Sequence, residues 1–183
     1  VVASIDHVFG NLISALSFSP GGRYLLCAGK HGDHALAVFD WENGPRLVYS
    51  HCSPSHETVN AIAYLSENRF AACIGHGVTF FNADAKMSSV AASASASFSR
   101  HDGQLGKFFR PAFHTCATAL ASGNSQGKHV LVTGTRSGKL YKWDSSGMCL
   151  RVVDEAHEES ITDIRSRENM ILSASEDGSV KLW

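Results

Sequence analysis

Four groups of side chains in this sequence have the residue types for chemistry. The ten histidines include His31 with His34 and His51 with His56, close enough along the chain to share a metal ion. A zinc site needs three or four converging ligands, and neither pair has a third partner at a fixed spacing, so both read as solvated loop histidines and no metal is assigned. The five cysteines, Cys27, Cys52, Cys73, Cys116 and Cys149, stand singly, with no C-x-x-C pair and an odd total. They read as small apolar strand residues in a reducing compartment. His157, Ser173 or Ser175, and Asp177 supply the residue types of a hydrolytic triad. No nucleophile elbow, phosphate-binding glycine loop or H-E-x-x-H motif accompanies them, so no catalytic residue and no cofactor is assigned. Last, Arg100, Lys107 and Arg110 are interleaved with Phe98, Phe108 and Phe109. Such a cluster either contacts an acidic partner surface or is a loop whose aromatics plug a groove between neighbouring structural units.

Composition narrows the field. Sixteen Lys and Arg stand against 17 Asp and Glu, a net charge of -1, with no basic stripe. That excludes a partner held mainly through phosphates, so no nucleic acid is expected. The apolar runs are only a few residues long, and VVASIDHVFG lacks the charged start and apolar block of a secretory signal. A soluble, intracellular chain without a membrane partner is the expectation.

These residues must be positioned by short strands. The stretch 173–183, SASEDGSVKLW, places an acidic-Gly turn between two apolar alternations, a hairpin signal. A near copy, VLVTGTRSGKLYKW, ends at Trp143, 40 residues before Trp183. Two further copies end at Trp41 and Phe81, again 40 apart. Each is preceded by an alternating segment, beginning at Ile13, Val59, Cys116 and Ile161, and the first three are followed by a further short strand or a candidate for one. Four strands per unit of about 40 residues is the period of a WD40 propeller blade. The spacing from Phe81 to Trp143 is 62 residues, so an insertion lies between them. The alternating Ser and Ala run from Ser88 to Phe98 holds much of it, and Val90–Phe98 reads as a thin fourth strand with a solvated face, the alternative being a flexible loop.

The last copy resembles the pattern by which WD-repeat families tie a blade together: a loop His (His157), a second-strand Ser (Ser173), a turn Asp (Asp177) and a third-strand Trp (Trp183). The resemblance implies a hydrogen-bonded structural tetrad. The expected fold is all-β, a partial WD40-type β-propeller of about four blades from a larger one. Residues 1–183 form one propeller stretch, with units at 1–10 (partial), 11–50, 57–98, 113–153 and 158–183 (partial).

Two stretches are similar to a narrower family. His34–Trp41, HALAVFDW, is an acidic-aromatic third strand, and Leu105–Phe113, LGKFFRPAF, resembles a Gly-Lys-aromatic loop with a basic-Pro step. Together with the atypical His76–Phe81 turn and strand, they resemble the echinoderm microtubule-associated protein-like (EML) family. That resemblance implies a non-enzymatic protein-interaction scaffold, associated with tubulin or microtubules in the cytoplasm and cytoskeleton, including a cilium or flagellum. It also implies a fragment, with Val1–Ile5 the tail of an earlier blade. Arg100, Lys107, Phe108 and Arg110 are the candidate partner contact. The alternative is a generic WD-repeat scaffold of a ciliary, signalling or ubiquitin-ligase complex.

Overall fold

The computed structural model describes residues 4–5, 8–10, 12–30, 35–42, 44–52, 57–84, 87, 96–108, 110–121 and 129–183. The histidines His31, His34 and His56, together with Phe109 and most of the Ser and Ala run, lie outside the described residues.

Short alternating segments separated by turns pair with their sequence neighbours into four antiparallel sheets among the described residues. The first holds β1 (Leu12–Phe18), β2 (Tyr24–Lys30), β3 (Ala35–Asp40) and β4 (Arg46–Cys52) in sequence order. The second holds β5 (Val59–Ser66), β6 (Arg69–Ile74), β7 (Gly77–Ala83) and β8 (Phe98–Asp102). The third holds β9 (His114–Ala121), β10 (His129–Thr135), β11 (Leu140–Trp143) and β12 (Cys149–Val153). The fourth has three strands, β13 (Ile161–Arg167), β14 (Met170–Ser175) and β15 (Val180–Leu182). The first strands β1, β5, β9 and β13 pack side by side in that order, as the inner strands of successive propeller blades do.

Strand β8 corrects the expected position of the second sheet's outer strand. It begins at Phe98, where the Ser and Ala run ends, and pairs Phe98 with Ala83 through to Asp102 with Thr79. Phe98 explains the placement: its ring lies 4.5 Å from Tyr49 and 5.3 Å from Phe70, filling the gap between the first and second sheets. The small residues before it have no comparable area to bury.

Three layers of the core lie between sheets, and a fourth cluster, Leu25, Cys27, Ala37 and Phe39, packs against Ile5, Val8, Phe9 and Trp41. Tyr24, Leu26, Val38, Tyr64, Phe70 and Phe81 fill the first interface, Leu65, Phe80, Leu131, Tyr141 and Trp143 the second, and Val132, Leu140, Ile161 and Ile164 the third. A polar staple accompanies this packing. Each inner strand shifts register near its start, between Ile13 and Ala15 in β1 and between Ile161 and Asp163 in β13. Ser14 Oγ sits at the first of these bulges and donates to Ala28 O in its own sheet and Val59 O in the next, both at 3.2 Å. Thr115 repeats the device, bonding Gly134 O at 3.3 Å within its sheet and Ile161 O across to the fourth. In the second sheet Asn60 stands at this place, and its buried Nδ2 has no hydrogen-bond partner.

Candidate interaction surface

The four residues of the last repeat come together in one chain of hydrogen bonds. Trp183 Nε1–H donates to Ser173 Oγ at 2.9 Å, Ser173 Oγ lies 2.7 Å from His157 Nε2, and His157 Nδ1 lies 2.8 Å from Asp177 Oδ2. With the Asp177 carboxylate as acceptor, Nδ1 carries the hydrogen, so Nε2 accepts from the Ser173 hydroxyl, which accepts from Trp183. Hydrogen bonds from the Ser179 hydroxyl, and then from Ser179 N–H, His157 and Glu158 N–H, outweigh desolvation and hold the Asp177 carboxyl well below the usual carboxylate range. Ser173 is 1% exposed and His157 4% exposed. The Ser173 hydroxyl is thus closed off from solvent and occupied by hydrogen bonds within its own blade. Ser175 serves elsewhere, donating to Ser160 O at 2.9 Å.

A second polar centre was not legible as such in the sequence. Asp40, 5% exposed, accepts from Arg23 Nη2 at 2.8 Å with Arg46 Nη2 at 3.9 Å. Arg23 beside it is the main cause that holds the Asp40 carboxyl low. The acidic member of the Phe39-Asp40-Trp41 motif is thus an intra-sheet ion-pair residue. The signal available in the sequence was an Arg at the start of one strand and an Asp at the end of the next, which antiparallel pairing brings level; Tyr24 is the register partner of Asp40. Histidine 114 was also missed. It is buried against Tyr141 and Trp143, at 5.1 and 5.9 Å between ring centres, and Nδ1 has no partner. Burial, aided by His76, pushes its pKa down to about 4.

Four of the five cysteines are buried, and Cys52 is exposed. Burial raises the Cys27 and Cys116 thiols to about 11, far from the thiolate a nucleophile or metal ligand needs. Among the described residues no group of three or more His, Cys, Asp or Glu could hold a metal ion, and no helix is long and apolar enough to cross a membrane.

The insertion after β8 forms a strap from the second sheet to the third. Gly103 N–H donates to Val78 O at 2.7 Å, Gln104 N–H to Gly147 O at 2.8 Å, and Cys149 N–H to Gln104 O at 2.8 Å. The strap crosses the Trp143 ring closely enough that a Cβ on Gly103 would lie 2.9 Å from it. A single 3-10 turn, Gly106–Phe108, follows, and Leu105 and Phe108 pack on the second core layer. Of the predicted contact residues, Lys107, Phe108 and Arg110 share one cleft of about 280 Å³, completed by Tyr141, Val152 and Asp154. Lys107 Nζ stands 5.2 Å from the centre of the Phe108 ring, and Tyr141 O–H donates to Arg110 O at 3.2 Å. Asp154 receives Lys139 Nζ at 2.5 Å, which holds its carboxyl low. Arg100 is not part of this cleft. Its Nη1 lies 3.0 Å from His51 Nε2 on β4, at the junction of the first and second sheets.

The family described as "WD domain, G-beta repeat" matches residues 2–40 and 147–183. The solved β-propeller domain of Myceliophteria thermophila Cps50 (Swd1) superposes with a TM-score of 0.68 at 19% identity, covering 93% of this chain and 51% of that one. The sheets are β-propeller blades, with WD repeats matched at residues 2–40 and 147–183. The chain also resembles the EML family. It is 26% identical over 183 residues to "Echinoderm microtubule-associated protein-like 2" of Rattus norvegicus, covering 96% of this chain and 25% of the relative. It is 25% identical over 174 residues to "Kinesin-like protein klp-12" of Caenorhabditis elegans, covering 91% of this chain and 10% of that one. The blades thus span about a quarter of the length of the EML relative.

Proposed function

We propose that this protein is a non-enzymatic interaction scaffold of the EML type, which binds tubulin or the microtubule lattice in the cytoplasmic cytoskeleton. The observation that carries the reading is similarity along 96% of the chain to a relative whose name places it with microtubule-associated proteins. Residues 1–183 act as one propeller stretch in it. The internal polar chemistry fits a scaffold, since the tetrad and the Arg23–Asp40 pair bond to one another within their blades. With a net charge of -1, attraction to an acidic lattice must be local, and the Lys107, Phe108 and Arg110 cleft is the surface suited to it. The same charge balance leaves nucleic acid and membrane surfaces as poor partners.

The test is co-sedimentation of the intact protein with stabilised microtubules across a salt series. Pelleting that weakens as ionic strength passes about 0.1 M, where screening reaches about 10 Å, is the expected outcome. Failure of the wild type to pellet at low salt would remove the tubulin reading and leave a WD-repeat scaffold of another complex.

A further inference from the structure

We propose that the cleft under the Gly106–Phe108 turn docks an extended acidic peptide that inserts one apolar side chain. The proposal rests on the scaffold reading above and names the chemistry of the partner at that site.

Two features of the cleft carry the argument. Its floor is apolar and rigid: Phe108 packs on the core layer that holds Trp143, Tyr141 is buried and tied to Arg110 O, and Val152 is half-buried beside them. Its rim is cationic. Lys107 and Arg110 are both exposed, and neither forms an ion pair among the described residues. The one carboxylate that lines the cleft, Asp154, is already taken by Lys139 from outside it, so the two rim cations face no free carboxylate there. Two unpaired cations in a chain of net charge -1 are a local excess that favours an anion.

The floor decides which anion. A free phosphate or a nucleic-acid backbone would use the rim and leave Phe108 and Val152 exposed, whereas a peptide with carboxylates around an apolar side chain uses both. The cleft volume, about 280 Å³, suits a single side chain. The strap supplies the rigidity such a site needs, because Gln104 is bonded on both sides to the start of β12.

The experiment measures fluorescence anisotropy of short labelled peptides with the intact protein. One peptide is Glu-rich with a central Leu, a second carries Gln for every Glu, and a third carries Gly for the Leu. The first should bind and weaken with salt, and the other two should each lose about tenfold or more in affinity, a change of about 1.4 kcal/mol. The double reversal Lys107→Glu with Arg110→Glu should abolish binding without shifting the melting curve. Val152→Ser, a milder change to the floor, should weaken the Leu peptide and leave the Gly peptide unaffected. Equal binding of the Glu and Gln peptides, or an unchanged affinity in the double reversal, would overturn the proposal. Peptide binding without microtubule pelleting would retain the cleft and remove tubulin. Pelleting that survives the double reversal, with no peptide binding, would overturn the cleft and retain tubulin.

Discussion

The third and fourth blades carry matching positions at the same spacing and hold them by different means. Thr133 and Ser173, Ser137 and Asp177, Gly138 and Gly178, and Trp143 and Trp183 are each 40 residues apart. In both blades the Trp N–H is satisfied by the second-strand hydroxyl, at 3.0 Å in the third and 2.9 Å in the fourth. Beyond that hydroxyl the two diverge. The fourth continues through His157 to Asp177, whereas the third has Ser137, whose Oγ lies 3.3 Å from Thr135 Oγ1. Counted back from the paired residues His114 with Thr135 and Ile161 with Ser175, the sequence position that holds His157 in the fourth blade holds Arg110 in the third. The position that completes a polar chain in one blade supplies a cleft cation in the other.

Burial accounts for the difference. Trp143 is 1% exposed, stacked on Tyr141 and met edge-on by Phe80 from the second blade. Trp183 is 42% exposed, on a blade that also exposes Leu172, Val180 and Leu182. The third blade's tryptophan is held by packing on Tyr141 and Phe80 as well as by its hydroxyl partner, and the fourth blade's is linked through Ser173 and His157 to the turn residue Asp177. The largest effect follows from packing. Trp143→Ala should cost about 3–5 kcal/mol and Trp183→Ala about 1–3 kcal/mol in urea unfolding, since the second side chain has less area to lose. Equal losses would break the comparison.

The turn glycines sharpen it next. Gly138 and Gly178 both have positive φ, 74° and 79°. A Cβ on Gly138 would lie 2.1 Å from His157 O in the adjoining blade, while a Cβ on Gly178 meets nothing within 4 Å. Gly178→Ala therefore costs only the left-handed backbone, about 1–2 kcal/mol. Gly138→Ala adds a collision between two backbones and should cost about 2–5 kcal/mol. Similar midpoints for the two variants would mean that the blades separate easily at this turn.

How far the sequence could show all this depended on the residue types. The strands of the third and fourth blades were legible because large alternating side chains and Gly turns mark their ends, as at Ser137-Gly138 and Asp177-Gly178. Strand β8 begins only at Phe98, whose ring fills the gap beside Tyr49 and Phe70, and the alternation of Ser and Ala in the sequence does not mark where such a ring is placed. The cleft was legible in part. Lys107, Phe108 and Arg110 are close in sequence and share one surface, but Arg100 lies in the same stretch and faces β4, because the strap carries the chain from one blade to the next in between.

The smallest expected effect is acid lability confined to the turn of the fourth blade. Asp177 has its folded-state pKa depressed, chiefly by the Ser179 hydroxyl, so the stability it contributes is fully present above the unfolded value of about 3.9 and is lost as pH falls through the folded value. Ser137 cannot titrate, so the matching turn of the third blade lacks this term. Ser175 N–H donates to Ser179 O at 3.2 Å and Thr135 N–H to Lys139 O at 3.0 Å, equivalent amides that report on the two turns. In hydrogen exchange corrected for intrinsic rates, protection at Ser175 should hold down to about pH 4 and fall below it, and protection at Thr135 should hold throughout. Asp177→Asn should lower protection at Ser175 already at about pH 6 and flatten its pH dependence, because the amide cannot accept from Ser179 and His157 as the carboxylate does. Parallel pH profiles for the two amides in the wild type would show that the turn of the fourth blade does not depend on the Asp177 charge, and the contrast between a packed blade and a networked one would then rest on tryptophan burial alone.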